Sequence, residues 1–354
     1  MAQVLVEVTG GVDTHKDTHT AAAVDAAGRL LASAQFPATP GGYAALLAWL
    51  VGFGRLVLVG VEGTGAYGAG LARFLRGQGV RLVEVDRPDR KTRRWQGKSD
   101  PVDAEAAARA ALAARATGTP KDRDGRVEAL RNLRVARRSA VRQRADVQRQ
   151  MHTLVLTAPE PLRADLRALP AAALIARCAT ATADRARADQ PATAATLALR
   201  TLARRHQRLS EEITDLDAVI TPLAEKINPQ LNGLNGVGPD VAGQLLVTAG
   251  DNPDRLRSEA AFAMLCGAAP LPASSGRTNR HRLNRGGDRQ ANAALYRIVI
   301  CRLRWDPRTR AYVQRRTAEG MSKKEIIRCL KRYIAREVYQ TLIPPTSKDL
   351  EPAS

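Results

Sequence analysis

Four carboxylic acids carry the first chemical signal in this chain. The stretch Gln96-Gly97-Lys98-Ser99-Asp100-Pro101-Val102-Asp103-Ala104-Glu105 runs into an alanine-rich segment of high helix propensity. Ser99 or Asp100 can cap that helix, and Pro101 suits its first turn. Asp100 and Asp103 then share one face at the helix start. Alone they are an ordinary acidic first turn, which the helix dipole favours. Asp13 and Glu62 change that reading, because each ends an apolar, strand-like run upstream. Four carboxylates meeting at one point do not all stay ionised unless cations hold them together. An all-oxygen cluster suits Mg²⁺, expected as a pair of ions about 4 Å apart that serve the attacking and leaving oxygens of a phosphodiester. Asp17 and Glu105 read as surface or supporting acids. His15 and His19 form a His-x-x-x-His that would be a zinc pair on a helix, but no third soft ligand is spaced to join them. Contact of His15 or Lys16 with a phosphate is the better reading.

The elements that would position these acids follow from pattern. Residues 3–8 read as a strand reaching Gly10-Gly11-Val12-Asp13. Thr20 to Val24 and Leu30 to Phe36 read as two more, joined at Asp25-Ala26-Ala27-Gly28. A helix opens at Thr39-Pro40. Arg55 to Val61 is a continuous apolar run, the mark of a buried central strand, and it ends at Glu62. A helix from about Gly65 to Arg76, a strand from Val80 to Val85, a basic loop from Arg87 to Lys98 and the acid-capped helix complete the order. Three strands, helix, strand, helix, strand, helix is the element order of a ribonuclease H-like fold. In such a sheet the ends carrying Asp13 and Glu62 lie side by side.

Charge divides the rest of the chain. Of 354 residues, Lys and Arg number 55 and Asp and Glu 35, a net +20 that points to a polyanion partner. Residues 1–84 are neutral, with 6 basic and 6 acidic side chains. Residues 85–150 carry 18 and 9, and residues 267–336 carry 18 and 4, so two segments own the basic surface. In the first, Arg90, Arg93, Arg94 and Lys98 lead into the acidic helix. In the second, Arg277, Arg280, Arg282, Arg285 and Arg289 crowd a loop-rich stretch. Cys178, Cys266, Cys301 and Cys329 are far apart, which argues against a zinc knuckle or disulfide scaffold and suits a reducing cytoplasm. No signal peptide or membrane-length apolar run is evident. Aromatics at 4% make a base-stacking sheet a poor fit.

Downstream, residues 117–124 read as a linker and 125–157 as an Arg-rich helix. A long helix is predicted from Pro191 to about Ile227. Its Leu199, Leu202, His206, Leu209, Ile213, Leu216, Ile220, Leu223 and Ile227 keep a 3-4 spacing, which predicts a coiled coil. Gly236-Val237-Gly238 before Pro239 matches a helix-hairpin-helix turn, where Gly236 and Gly238 would let backbone N–H groups approach a phosphate; a plain tight turn is the alternative. Helices are expected over 290–304 and 322–339. Ser274 and Ser275 precede Gly276 in the most basic stretch. Each fits a turn, or a nucleophile whose attack on phosphorus neighbouring arginines would stabilise.

Four motifs then stand in order: Gly11-Val12-Asp13-Thr14-His15-Lys16, Gly60-Val61-Glu62-Gly63-Thr64-Gly65, Lys98-Ser99-Asp100-Pro101-Val102-Asp103-Ala104 and Pro272-Ala273-Ser274-Ser275-Gly276. Together they resemble the DEDD transposases of bacterial insertion sequences, the insertion sequence 110 family, over residues 4–340. The resemblance implies a RuvC-like, α/β catalytic domain at 1–120, a helical coiled-coil and dimerisation region at 121–228, a mainly helical transposase domain at 229–343 and a disordered tail at 344–354. It implies catalysis by Asp13, Glu62, Asp100 and Asp103 with Mg²⁺, and by Ser275 as a nucleophile that becomes joined to DNA. It also implies a structured bridge RNA as guide, and assembly into dimers and tetramers. A metal-dependent junction resolvase, in which Ser275 takes no part, is the alternative.

Overall fold

Alternating and continuous apolar runs place the strands of the first unit. The computed structural model describes residues 6–85, 99–275 and 281–343. Strands β1 (Glu7–Thr14), β2 (Thr18–Asp25) and β3 (Leu30–Pro37) form an antiparallel meander. Helix α1 (Pro40–Val51) follows, with Thr39 as its N-cap, its side chain accepting from the Gly42 amide. Strand β4 (Arg55–Glu62) returns parallel to β1, helix α2 (Ala69–Gly77) crosses over, and β5 (Leu82–Val85) adds parallel to β4. The sheet order is β3-β2-β1-β4-β5, so β1 and β4 are central. Helix α3 (Asp100–Leu112) packs on them. On the other face, Leu46, Leu50, Leu71 and Leu75 from α1 and α2 fill a core against Val8, Val12, Val59 and Val61.

β1 lies further along the chain than the 3–8 read from the sequence, running from Glu7 through Gly10 and Gly11 to Thr14; residues 3–5 of that reading lie outside the described residues. Glycines weaken strands, yet here they are what the packing needs. A Cβ on Gly11 would stand 2.1 Å from the Ala108 nitrogen and 2.2 Å from the Ala104 oxygen. The backbone of α3 therefore lies directly on β1. Its buried face is built from Ala104, Ala107, Ala108 and Ala111, side chains small enough for that approach. Residues 249–262 belong to this same unit. Asn252 ties them to the chain after α3, accepting from the Asp122 amide and donating to the Pro120 carbonyl.

The second unit, residues 126–248 and 263–343, is almost wholly helical. Its long helices are α4 (Arg126–Thr157) and α7 (Pro191–Ile227), with α5 (Leu162–Leu166) and α6 (Ala171–Ala179) between them. Arg137 pairs with Asp217 and Arg144 reaches Ser210, so α4 and α7 run antiparallel. The heptad positions Leu199, Leu209 and Ile213 pack with Ala140, Val147, Met151 and Val155 of the same chain and with Leu174 and Cys178 of α6. At these three positions the predicted seam is covered from within the chain. His206 is half-buried on it; burial pushes its pKa down, and the nearby Arg144 charge adds to that. Next come α8 (Pro229–Asn232), α9 (Pro239–Ala249) and α10 (Glu259–Leu265), the last two shared across the unit boundary. A short hairpin of β6 (Leu271–Pro272) and β7 (His281–Arg282) precedes α11 (Arg289–Trp305), α12 (Pro307–Ala318) and α13 (Lys323–Leu342). Among the described residues no helix is long and apolar enough to cross a membrane.

Candidate functional site

The parallel register aligns Val12 with Val61, so Asp13 and Glu62 leave the C-terminal ends of adjacent strands together. Thr14 adds a cross-link, its hydroxyl donating to the Glu62 carbonyl at 2.8 Å. Helix α3 brings its first turn to the same region. Ser99 is the N-cap in extended conformation, Pro101 sits in the first turn, and Asp100 and Asp103 are its acids. Asp13, Glu62 and Asp103 are 7%, 7% and 6% exposed, whereas Asp100 is half-buried. Burying carboxylates is costly unless opposite charge or hydrogen bonds compensate.

One partner is a residue that the sequence reading placed against phosphate. His15 Nε2 lies 3.1 Å from Asp13 Oδ2 and 3.3 Å from Asp100 Oδ1, and links the strand acid to the helix acid. Asp13, His15 and Asp100 each present a ligand atom, all within 4.8 Å of one another, close enough to hold one metal ion. The signal was present as Asp-x-His, since residues two apart on an extended chain face the same side. The donor set of this group is therefore mixed nitrogen and oxygen, and Glu62 and Asp103, though buried, are not part of it.

His19 does not join His15. The His-x-x-x-His lies across a tight β-turn, not along a helix, with the His15 amide donating to the Thr18 carbonyl. His19 is fully buried and stacks on Tyr43 at 5.6 Å. Burial pushes its pKa down, against a hydrogen bond to the Thr18 carbonyl that raises it. Lys16 is exposed in that turn, beside His15. Glu105 is taken up by Arg109, one helical turn on, at 2.6 Å.

The remaining predicted residues divide by unit. Arg90, Arg93, Arg94, Lys98, Arg277 and Arg280 lie outside the described residues. Ser274 and Ser275 are exposed just beyond β6, in the second unit, whereas the acids are in the first. Arg282, Arg285 and Arg289 are exposed around the β6–β7 hairpin and the start of α11. Gly236 takes the left-handed conformation, φ 78°, and a Cβ on Gly238 would meet nothing within 4 Å. The helix before that turn, α8, is a single turn, so the expected hairpin has only its second helix at full length. Arg302 secures the turn from α11, donating to the Asn235 carbonyl at 2.8 Å and to Glu337 at 2.7 Å.

A mixed sheet whose strand ends converge on buried acids, followed by a basic helical unit with an exposed serine hairpin, is an arrangement suited to transposases. Two family models match this chain: one for the DEDD transposases of IS110, described as "Transposase", over residues 10–158, and "Transposase IS116/IS110/IS902 family" over residues 228–314. The chain belongs to the IS110 transposase family. It is similar to the "Insertion element IS110 uncharacterized 43.6 kDa protein" of Streptomyces coelicolor (strain ATCC BAA-471 / A3(2) / M145), 34% identical over 121 residues. That match covers 33% of this chain and 29% of the relative, less than a third of its length.

Proposed function

We propose that this protein is a cytoplasmic DNA transposase that cuts and rejoins strands through a phosphoserine–DNA intermediate. The observation that carries the reading is the meeting of Asp13, His15 and Asp100 beside buried Glu62 and Asp103. The strand order β3-β2-β1-β4-β5 supports a RuvC-like, ribonuclease H-like assignment for residues 1–120. Residues 121–228 and 229–343 serve as the helical and transposase regions. Asp13, His15 and Asp100, with Glu62 and Asp103, would hold a divalent cation, Mg²⁺ in the reading from the four carboxylates, and it would supply charge stabilisation at the phosphate. Ser275 Oγ forms the new bond to phosphorus as one strand P–O bond breaks, and the leaving oxygen takes up a proton. Lys16, Arg282, Arg285, Arg289 and the Gly236–Gly238 turn bind backbone phosphates. A structured bridge RNA and assembly into dimers or tetramers belong to the same reading.

The test is a denaturing gel of protein, cognate DNA and Mg²⁺. A denaturant-stable protein–DNA adduct is expected, absent in Ser275→Ala and retained in Ser274→Ala. Cleavage that survives Ser275→Ala without any adduct would replace the recombinase by a metal-only junction resolvase.

His15 makes a separate expectation. His15→Ala should weaken Mn²⁺ binding by about 10- to 100-fold, the usual effect of losing a ligand-orienting partner. Paramagnetic titration of free Mn²⁺ reads this directly, and unchanged affinity would remove His15 from the site.

A further inference from the structure

The β6–β7 hairpin opens beside a cavity of about 860 Å³ within the second unit. Its cationic side is formed by Arg282, Arg285 and Arg289 from the hairpin and α11, and by Arg328 and Lys331 from α13. None of the four arginines forms an ion pair among the described residues. The carboxylate on the wall, Glu325, is engaged as half of a capping box, accepting from the Ser322 hydroxyl and amide. Glu325 also feels the Arg328 charge, yet with five arginines, Arg332 included, and Lys331 against one carboxylate the lining is net positive.

Lys331 is fixed in place. Its ammonium donates to Asn292 Oδ1 at 2.9 Å, while Asn292 Nδ2 donates to the Cys266 and Gly267 carbonyls at 2.9 and 3.0 Å. With both amide hydrogens committed, the Asn292 oxygen has to face the lysine. One of the three ammonium donors is used and the others remain for a ligand. Burial, with Arg328 nearby, pushes the Lys331 pKa down, so an arriving anion relieves an unfavourable charge. The same cavity is lined by Leu283 and Tyr333, 54% and 50% exposed, and the Tyr333 ring is braced edge-on by Tyr312 at 5.7 Å. A cavity lined by cationic side chains together with an apolar and an aromatic one offers partners for both halves of a nucleotide. Its volume falls within the roughly 300–1,000 Å³ of small-ligand pockets and is too small for a duplex.

We propose that this cavity receives an unpaired nucleotide of a DNA strand, its phosphate on Lys331 and Arg289 and its base against Leu283 and Tyr333. The strand would be the one passing Ser275, so the assignment rests on the transposase reading. The pocket turns a basic surface into a device that holds an opened strand next to the nucleophile. Stacking on an aromatic face accepts any base, so it gives grip without sequence preference.

The experiment uses the full chain with a short single-stranded oligodeoxynucleotide carrying 5-iodouracil, a duplex of the same sequence and an RNA counterpart. Photocrosslinking should attach the single DNA strand to Tyr333, identified by mass spectrometry, and the duplex should not react there. Fluorescence anisotropy should show Lys331→Met binding the strand about tenfold more weakly, as for a lost charge-assisted hydrogen bond. The salt dependence should shrink by about 0.7 per lost phosphate contact. Exposed Arg328→Gln, which leaves the fold intact, should act in the same direction. Unchanged affinity and salt slope in both variants, or crosslinks confined to residues outside the cavity, would overturn the proposal. So would crosslinking of the RNA without the DNA. A Ser275 adduct without a Tyr333 crosslink sinks this pocket alone. A crosslink without any adduct under cleavage conditions keeps the pocket and sinks the transposase reading.

Discussion

Gly11→Val is expected to cost the first unit more stability than any single surface change and to remove divalent-cation binding with it. Ordinary overpacking of a core costs roughly 1–3 kcal/mol, because side-chain ends can move aside. At Gly11 the obstructing atoms are the backbone nitrogen of Ala108 and the carbonyl oxygen of Ala104, within about 2 Å of where the new Cβ would stand. Neither can yield without shifting α3 as a body. The expected cost is therefore above that range, a fall in melting temperature on the order of 10 °C. The shift carries Asp100 and Asp103 away from Asp13 and Glu62, so Mn²⁺ affinity should drop even in protein that is still folded well below the transition. Gly41→Ala is the control: nothing lies within 4 Å of its new Cβ, and both readouts should stay near wild type. A stable Gly11→Val protein with normal Mn²⁺ affinity would mean that the close approach of α3 does not build the site.

That glycine also shows what could and could not be read from the chain. The order of strands and helices was legible, because apolar runs and caps mark β4, α1 and α3 locally. The full extent of β1 was not, since Gly10-Gly11 argues against a strand until α3 is seen resting on it. The 3-4 spacing of α7 identified its buried face but is silent on what covers that face; the answer is α4, more than 30 residues upstream in the same chain. Helix α12 carries little signal in the sequence because it buries almost nothing: Thr309 is its buried residue, and five of its twelve positions are Arg or Pro. In the site, Asp100 and Asp103 were legible as one face of a helix start. His15 was read as a phosphate contact, and only the fold shows it linking Asp13 to Asp100. Residues 249–262 could not be assigned to the first unit, because nothing local signals the Asn252 bonds to Pro120 and Asp122.

Asp240→Asn is the second change expected to have a large effect, this time in the second unit. Asp240 opens α9, directly after the Gly236–Gly238 turn, and accepts from Arg134 at 2.9 Å, Arg137 at 3.1 Å and Arg297 at 2.5 Å. Burial alone would raise its pKa, but the charges of Arg134, Arg297 and Arg137 outweigh that and hold the carboxyl below its ordinary range. Arg134 is the more buried partner, and burial pushes its pKa down against the pull of Asp240. Asparagine keeps the shape and removes the charge, which leaves three guanidiniums facing each other. Breaking a fully buried pair costs about 3–5 kcal/mol; Asp240 is partly exposed, so about 2–3 kcal/mol is expected, read as a lower urea midpoint at pH 7. The pH dependence has a definite sign. A lowered folded pKa gives stability that is present above the unfolded value of about 3.9 and lost as pH falls through the folded value. Wild type should therefore lose stability steeply below about pH 4, and the difference between the two proteins should shrink there. Nucleic-acid affinity is expected to move the other way. Removing one negative charge beside a turn read as a phosphate contact leaves more positive charge, so binding of a short DNA should hold or tighten while stability falls. If stability and affinity fell together, Asp240 would be ordering the phosphate-binding turn itself, beyond neutralising the arginines behind it.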